Sequence, residues 1–386
     1  MKILVLAPHP FYQERGTPIA VDLLLRALSE RGDDVHLLTY HEGDEKHYKG
    51  LKIHRIRPRP VLTGIPPGFS AKKLWCDVFF FFRLLSLVYK ERYDVVHAVE
   101  ESAFMAMLAC PRRPFIYDMD SCMTTQLVDK YHFLKPAKGL LEFIESLPMR
   151  RAALVLPVCD SLAEVALRYR QDGVEVLHDI SLLDSSEQDE EAPDIRSELG
   201  IKGNIAMYIG NLESYQGIDF LLEAFATCLR SGGQSHLVVI GGSSGHVDGY
   251  RKKCIDMGIG GRVHFLGKRP LGQMAAYMRQ ATILVSPRIQ GVNTPMKIYS
   301  YLHSGRPVLA TRLPTHTQIM SDETAMLAEA DAHSFGLAMA RLLEDEPLQR
   351  RLAERARDLI EAEHSYTAYR DKVHAIYDRL ERQRAR

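Results

Sequence analysis

Residues 205–240 read IAMYIGNLESYQGIDFLLEAFATCLRSGGQSHLVVI. The apolar run Ile205 to Ile209 has the length and character of a strand buried on both faces, and it stops at Gly210. A tight polar turn from Asn211 to Gly217 leads into Ile218 to Arg230, where apolar residues recur at helical spacing. A second apolar run follows at His236 to Ile240. The order strand, turn, helix, strand is the repeating unit of a parallel sheet wrapped by helices.

The same rhythm extends in both directions. Upstream, strands are predicted at Ile3–Ala7, Val35–Thr39, Asp94–Ala98, Phe115–Asp118 and Leu154–Val158. A helix over Ile19–Arg31 is closed by Gly32, and Asp160 is placed to cap a helix from Ser161 to about Tyr169. Downstream, helices are expected around Tyr250–Met257 and Leu271–Arg279, and strands at Val263–Leu266, Thr282–Val285 and Val308–Thr311. Between the halves, residues 184–194, DSSEQDEEAPD, are acidic and poor in apolar side chains, which predicts a solvated linker and a hinge. The chain therefore divides into two doubly wound α/β domains, residues 1–180 and 181–364, facing across a cleft at the carboxyl ends of their strands. A last helix, residues 365–386, carries an apolar stripe of Tyr366, Tyr369, Val373, Ile376 and Tyr377 and is expected to return to the first domain.

Composition limits the function classes. The 386 residues carry 49 basic and 49 acidic side chains, so no global field attracts a nucleic acid and any anion site must be local. Six scattered cysteines without metal-ligand spacing predict neither disulfides nor a metal site. The opening MKILVLAPHPF reads as a core strand and is too short for a secretory signal, and a cytoplasmic location is expected. Residues 74–89, LWCDVFFFFRLLSLVY, fall short of a spanning helix and contain Asp77 and Arg83; they read as a buried amphipathic helix or a peripheral membrane contact.

Loops at strand ends carry the unusual chemistry. Gly16 and Thr17 precede a helix whose first N–H groups suit an anion. Gly241, Gly242 and Gly245 follow a strand. Residues 286–311, SPRIQGVNTPMKIYSYLHSGRPVLAT, place Arg288, Asn293, Thr294 and Lys297 in a turn where glycine and proline alone would serve.

These segments, with DVVHAVEES, YDMDSCM and VHFLGKRPLGQMAAYM, give a chain that resembles the retaining glycosyltransferases of family 4 over nearly its whole length. The resemblance implies the GT-B fold, two Rossmann-like domains, and transfer of a sugar from a nucleotide-diphosphate sugar to a glycan or lipid-linked acceptor, with no separate cofactor. It places the donor on the second domain, at Gly210, Asn211, Gln216, Gly217, Lys268, Arg269, Asn293, Thr294 and Ser300, with Gly16 opposite. The acceptor side falls to His97, Glu100 and Asp120. The resemblance sets Asn211 and Gln216 where the family has a pyrophosphate-binding arginine and lysine; of its two glutamates, the first falls on Val292 counting back from Gly305, or on Gln290 or Gly291 counting forward from Ser286, and the second on Ser300. Lys297 and Arg288 are the cations available to stabilise the leaving pyrophosphate, which makes them, with Asp120, the candidate catalytic groups. A catalytically silent subunit that binds a partner or nucleotide is the competing reading.

Overall fold

A computed structural model describes residues 1–385 apart from 59–61, 67, 69, 184–189 and 233. It resolves into two compact units, residues 1–178 with 369–386 and residues 179–368. Most of the expected linker, residues 184–189, lies outside the described residues.

The first unit contains β1 (Lys2–Ala7), α1 (Gly16–Arg31), β2 (Asp34–Thr39), β3 (Leu51–Arg55), α2 (Ala71–Lys90), β4 (Val95–Val99), α3 (Ser102–Ala109), β5 (Phe115–Met119), α4 (Met123–Lys130), α5 (Lys138–Arg151), β6 (Leu154–Pro157) and α6 (Asp160–Leu167). Its six strands are all parallel, in the order β3-β2-β1-β4-β5-β6. Strand order reverses between β1 and β4, so the loops leaving those two strands diverge and open a crevice. Gly32 ends α1 in the left-handed conformation at φ 89°, where its N–H bonds the Ser29 carbonyl. Asp160 lies inside the first turn of α6 instead of capping it: Cys159 occupies the cap position, and the acid complements the helix dipole.

The second unit contains α7 (Ile195–Leu199), β7 (Ile205–Ile209), α8 (Ile218–Arg230), β8 (His236–Ile240), α9 (Ser244–Asp256), β9 (Val263–Gly267), α10 (Met274–Gln280), β10 (Ile283–Ser286), α11 (Lys297–His303), β11 (Val308–Thr311), α12 (Pro314–Thr317), β12 (Met326–Ala328), α13 (Ala332–Glu344) and α14 (Glu346–Glu363). Its sheet is again parallel, in the order β12-β11-β10-β7-β8-β9, with the reversal between β7 and β10. Apolar clusters cover both faces of this sheet. α9 begins six residues before the expected helix, because Ser243 accepts the His246 N–H and caps it through the glycine-rich stretch.

The final helix, α15 (Tyr366–Ala385), belongs from Tyr369 onward to the first unit. Tyr369, Val373, Ile376 and Tyr377 are buried. Tyr377 Oη lies 2.8 Å from His97 Nδ1 on β4, and the other ring nitrogen of His97 is 3.0 Å from Asp118 Oδ2. With the ring proton on Nε2, that nitrogen donates to Asp118 and Nδ1 accepts from the tyrosine hydroxyl. Around this bond, Arg31 pairs with Asp378, and Arg384 with Asp94. Replacing Tyr377 by Phe leaves a buried ring nitrogen without its donor and should destabilise the first unit by about 1–3 kcal/mol. Urea unfolding of Tyr377→Phe tests this; an unchanged midpoint would mean that the bond contributes nothing.

Candidate functional site

In the second unit, the loops after β7 and β10 flank the point where strand order reverses. The turn after β7 is built by its own polar groups: Asn211 Oδ1 accepts the Glu213 N–H, Asn211 Nδ2 donates to Tyr215 Oη, and Tyr208 Oη donates to the Asn211 carbonyl. Gly217 sits at φ 73°, and a β-carbon there would lie 2.1 Å from the Pro287 carbonyl oxygen. Only glycine permits this approach, which sets buried Gln216 beside the loop that follows β10.

Lys297, the first residue of α11, reaches back into that corner. Its Nζ donates to Gln216 Oε1 at 3.2 Å and lies 4.0 Å from the centre of the Tyr208 ring. Gly210 leaves room for it, since a β-carbon there would stand 3.0 Å from Nζ. Arg288 is the neighbouring cation; its Nε donates to the Gln290 carbonyl and its guanidinium lies over the Tyr215 ring. Neither cation has an acidic partner among the described residues. Burial, reinforced by the Arg288 charge, pushes the Lys297 ammonium well below its ordinary range, and burial likewise lowers Arg288. Two cations held together without an anion are an incomplete electrostatic arrangement.

The other residues expected on the donor side lie partly around this pair and partly away from it. Thr294 is buried, and its hydroxyl has no hydrogen-bond partner among the described residues. The Asn293 carbonyl accepts from Thr315 Oγ1. Pro295 precedes the helix, where its carbonyl accepts the Ile298 N–H. Ser300 is committed elsewhere, because its buried hydroxyl accepts the Leu182 N–H at 3.1 Å. Lys268 borders a separate depression of about 500 Å³ with Gly242, Ser243 and Arg251, whereas the exposed Arg269 does not.

In the first unit, the loops after β1 and β4 border a cavity of about 310 Å³ lined by His9, Gly16, Lys73, Glu100, Glu101 and Ser121, among others. Gly16 therefore belongs to this cavity. Glu100 holds a left-handed backbone at φ 52°, a conformation costly for a residue with a side chain and recurrent at functional sites. Its carboxylate accepts from Ser121 Oγ at 2.9 Å. Burial, with the Glu101 charge beside it, raises the Glu100 carboxyl to about 8. Lys73 pairs with Glu101 at 2.5 Å, and Tyr40 donates to Asp77, whose carboxyl burial raises to about 7. Asp120 lies next to Ser121 but does not line the cavity, and His97 is enclosed in the sheet, so neither reaches it. Lys73 and His9 escape sequence reading: a lysine in the first turn of an apolar helix looks like a solvated flank. Among the described residues, no cluster of three His, Cys, Asp or Glu is arranged to hold a metal ion.

The family described as Glycosyltransferase Family 4 matches residues 15–179, and Glycosyl transferases group 1 matches residues 203–345. The chain belongs to glycosyltransferase family 4. A relative from Corynebacterium glutamicum, D-inositol 3-phosphate glycosyltransferase, is 30% identical over 172 residues, 42% of this chain and 40% of that protein. The match thus spans well under half the length of that relative. Among solved structures, sucrose-phosphate synthase from Thermosynechococcus elongatus superposes with a TM-score of 0.77 at 20% identity, covering 98% of this chain and 99% of that one. Anabaena HepE in complex with UDP-glucose gives 0.73 at 15% identity, covering 98% and 99%. Both likenesses establish the GT-B fold for this family 4 chain.

The raised Glu100 carboxyl makes a linkage prediction. Its folded value, about 8, exceeds that of an ordinary carboxyl, so the folded chain holds a proton that the unfolded chain releases near pH 4.5. Stability from this group is complete below about pH 4.5 and declines as pH rises toward 8. Glu100→Gln should remove that decline, gaining stability relative to the parent between pH 5 and pH 8 in thermal melts. Parallel curves for the two proteins would place the Glu100 carboxylate in free solvent.

Proposed function

We propose that this chain transfers a sugar, with retention of anomeric configuration, from a nucleotide-diphosphate sugar to a glycan or lipid-linked hydroxyl. The observation that carries this reading is the Lys297–Arg288 pair, two cations with no acidic partner among the described residues, at the strand-order reversal of the second unit. A pyrophosphate brings the charge they lack. As the glycosidic bond breaks, negative charge grows on the leaving phosphate oxygen, and the Lys297 ammonium stabilises that charge more in the transition state than in the ground state. Arg288 holds the diphosphate in both states. The unpartnered Thr294 hydroxyl supplies a donor to phosphate or sugar oxygen. HepE, whose fold this chain shares, is known in complex with UDP-glucose, which supports a hexosyl donor without fixing the base.

The acceptor hydroxyl is assigned to the cavity of the first unit. Glu100, with a carboxyl near 8, is suited to exchange a proton around neutral pH, and Lys73 sets the local charge. Asp120, the base expected from sequence, is the weaker choice because it does not line the cavity. No resident cofactor is required by this scheme. The six cysteines are free thiols, which accords with a reducing, cytoplasmic setting. A silent binding subunit is the second reading, favoured by Ser300, whose hydroxyl is engaged where the family places a ribose-binding glutamate.

Kinetics with a donor and acceptor pair test the scheme. Lys297→Ala should lower kcat by about 10²- to 10³-fold. Arg288→Ala should weaken donor binding by about 1.5–3 kcal/mol, the worth of a charge-assisted hydrogen bond. Full turnover by Lys297→Ala would remove the lysine from the reaction, and an inverted product anomer by NMR would exclude retention.

The depressed Lys297 ammonium predicts proton linkage as well. A diphosphate raises its proton affinity on binding, so affinity should fall as pH rises between the depressed free value and the higher bound value. Calorimetry of UDP binding in buffers of different ionisation enthalpy should show proton uptake, lost in Lys297→Met. Absence of any nucleotide binding would favour the silent subunit.

A further inference from the structure

α2 is apolar on two opposite sides. Cys76, Phe80, Leu84 and Leu87 face the sheet and are buried. On the other side, Trp75, Val78, Phe82, Leu85 and Tyr89 recur at steps of three and four and are 60%, 41%, 64%, 37% and 91% exposed. A helix that needed only to cover the sheet would present polar residues there. Asp77, the one acid of this helix, is bonded to Tyr40 and leaves the outer stripe without an acid.

The exposed surface extends beyond α2. The apolar cluster on this side of the sheet takes residues from α2, α3 and α5, and α3 packs against both of the others. Leu108 on α3 is 67% exposed, and Leu140, Phe143 and Ile144 form a second outward stripe on α5. Three neighbouring helices thus turn large apolar side chains to solvent, far more than scattered surface apolar residues require.

Charge decides what covers them. Besides Lys73, which is paired with Glu101 in the cavity, α2 has Lys72, Arg83 and Lys90 against one acid, and residues 132–151 have four basic residues against two acids, Lys138 lying 3.6 Å from Glu142, in a chain whose basic and acidic residues balance. Lys135 and Lys138 are exposed beside Leu140. We propose that the α2–α3–α5 face of the first unit lies in the interface of an anionic bilayer, with Trp75 and Tyr89 at headgroup level and the lysines on lipid phosphates. No helix among the described residues is long and apolar enough to cross a membrane, so the contact lies along the surface. This inference stands whether or not the chain transfers sugar, and it places the protein where a lipid-linked acceptor would be met.

Trp75 is the sole tryptophan and reports on this face directly. Titration of the full chain with phosphatidylglycerol–phosphatidylcholine vesicles should shift its emission to the blue, and the protein should float with the vesicles; phosphatidylcholine alone should bind more weakly. Phe82→Ser with Leu85→Ser should lower the partition coefficient by about tenfold or more, from lost apolar burial. Lys135→Glu with Lys138→Glu should do so for anionic vesicles only. Circular dichroism checks that the variants fold. Unmoved emission with no flotation overturns the proposal, and so does a concentration-dependent dimer that buries Trp75 without lipid.

Discussion

Parallel strands covered on both faces accept a polar side chain along their length only where it is hydrogen-bonded, as His97 is, and that constraint governs the rest of this molecule. β7 and β10 are wholly buried, as are β4 and β6. Polar chemistry is forced to the strand ends. At the reversal of strand order, two neighbouring loops separate, and each unit places its charged groups there. Among the described residues, these are cations without an acid in one unit and carboxyls beside the Lys73–Glu101 ion pair in the other.

The two sites solve opposite electrostatic problems. The Lys297–Arg288 corner raises the energy of its own charges by burial and mutual repulsion, so an arriving diphosphate gains more than it would at a solvated surface. Aromatic rings and an amide oxygen hold the lysine without neutralising it, as a carboxylate would. The Glu100 cavity crowds carboxyls, which Lys73 only partly offsets, and so keeps protons available near neutral pH. Small residues carry much of this geometry: Gly210 makes space for the ammonium, and Gly217 brings the turn against Pro287.

Sequence made the alternation of strands and helices legible wherever apolar runs were continuous, as at β7, β8 and α8, because burial on both faces leaves little ambiguity. It was less legible where burial is partial. β3, LKIHR, is an edge strand with mixed polarity, and β12 is three residues long, so neither stands out as an apolar run. The start of α9 was masked by glycine and serine, which read as loop until a cap is seen to hold them. Lys297 and Arg288 were legible as anomalous charges at a strand end, and the structure sets them near one another. Lys73 and Asp77 were not, since their positions in an apolar helix do not reveal which carboxyls pack against them. His97 and Ser300 show the reverse error: polar residues in matched motifs that the fold uses for internal hydrogen bonds.

The bond between His97 and Tyr377 joins side chains 280 residues apart in the chain. The second unit is a continuous segment and can fold as it leaves the ribosome, whereas the first is interrupted and receives its last helix only after residue 368 has been made. Until then β4 presents an imidazole without its tyrosine partner. Synthesis order is therefore the opposite of completion order: the unit whose translation begins first is finished last, after the second unit has been made.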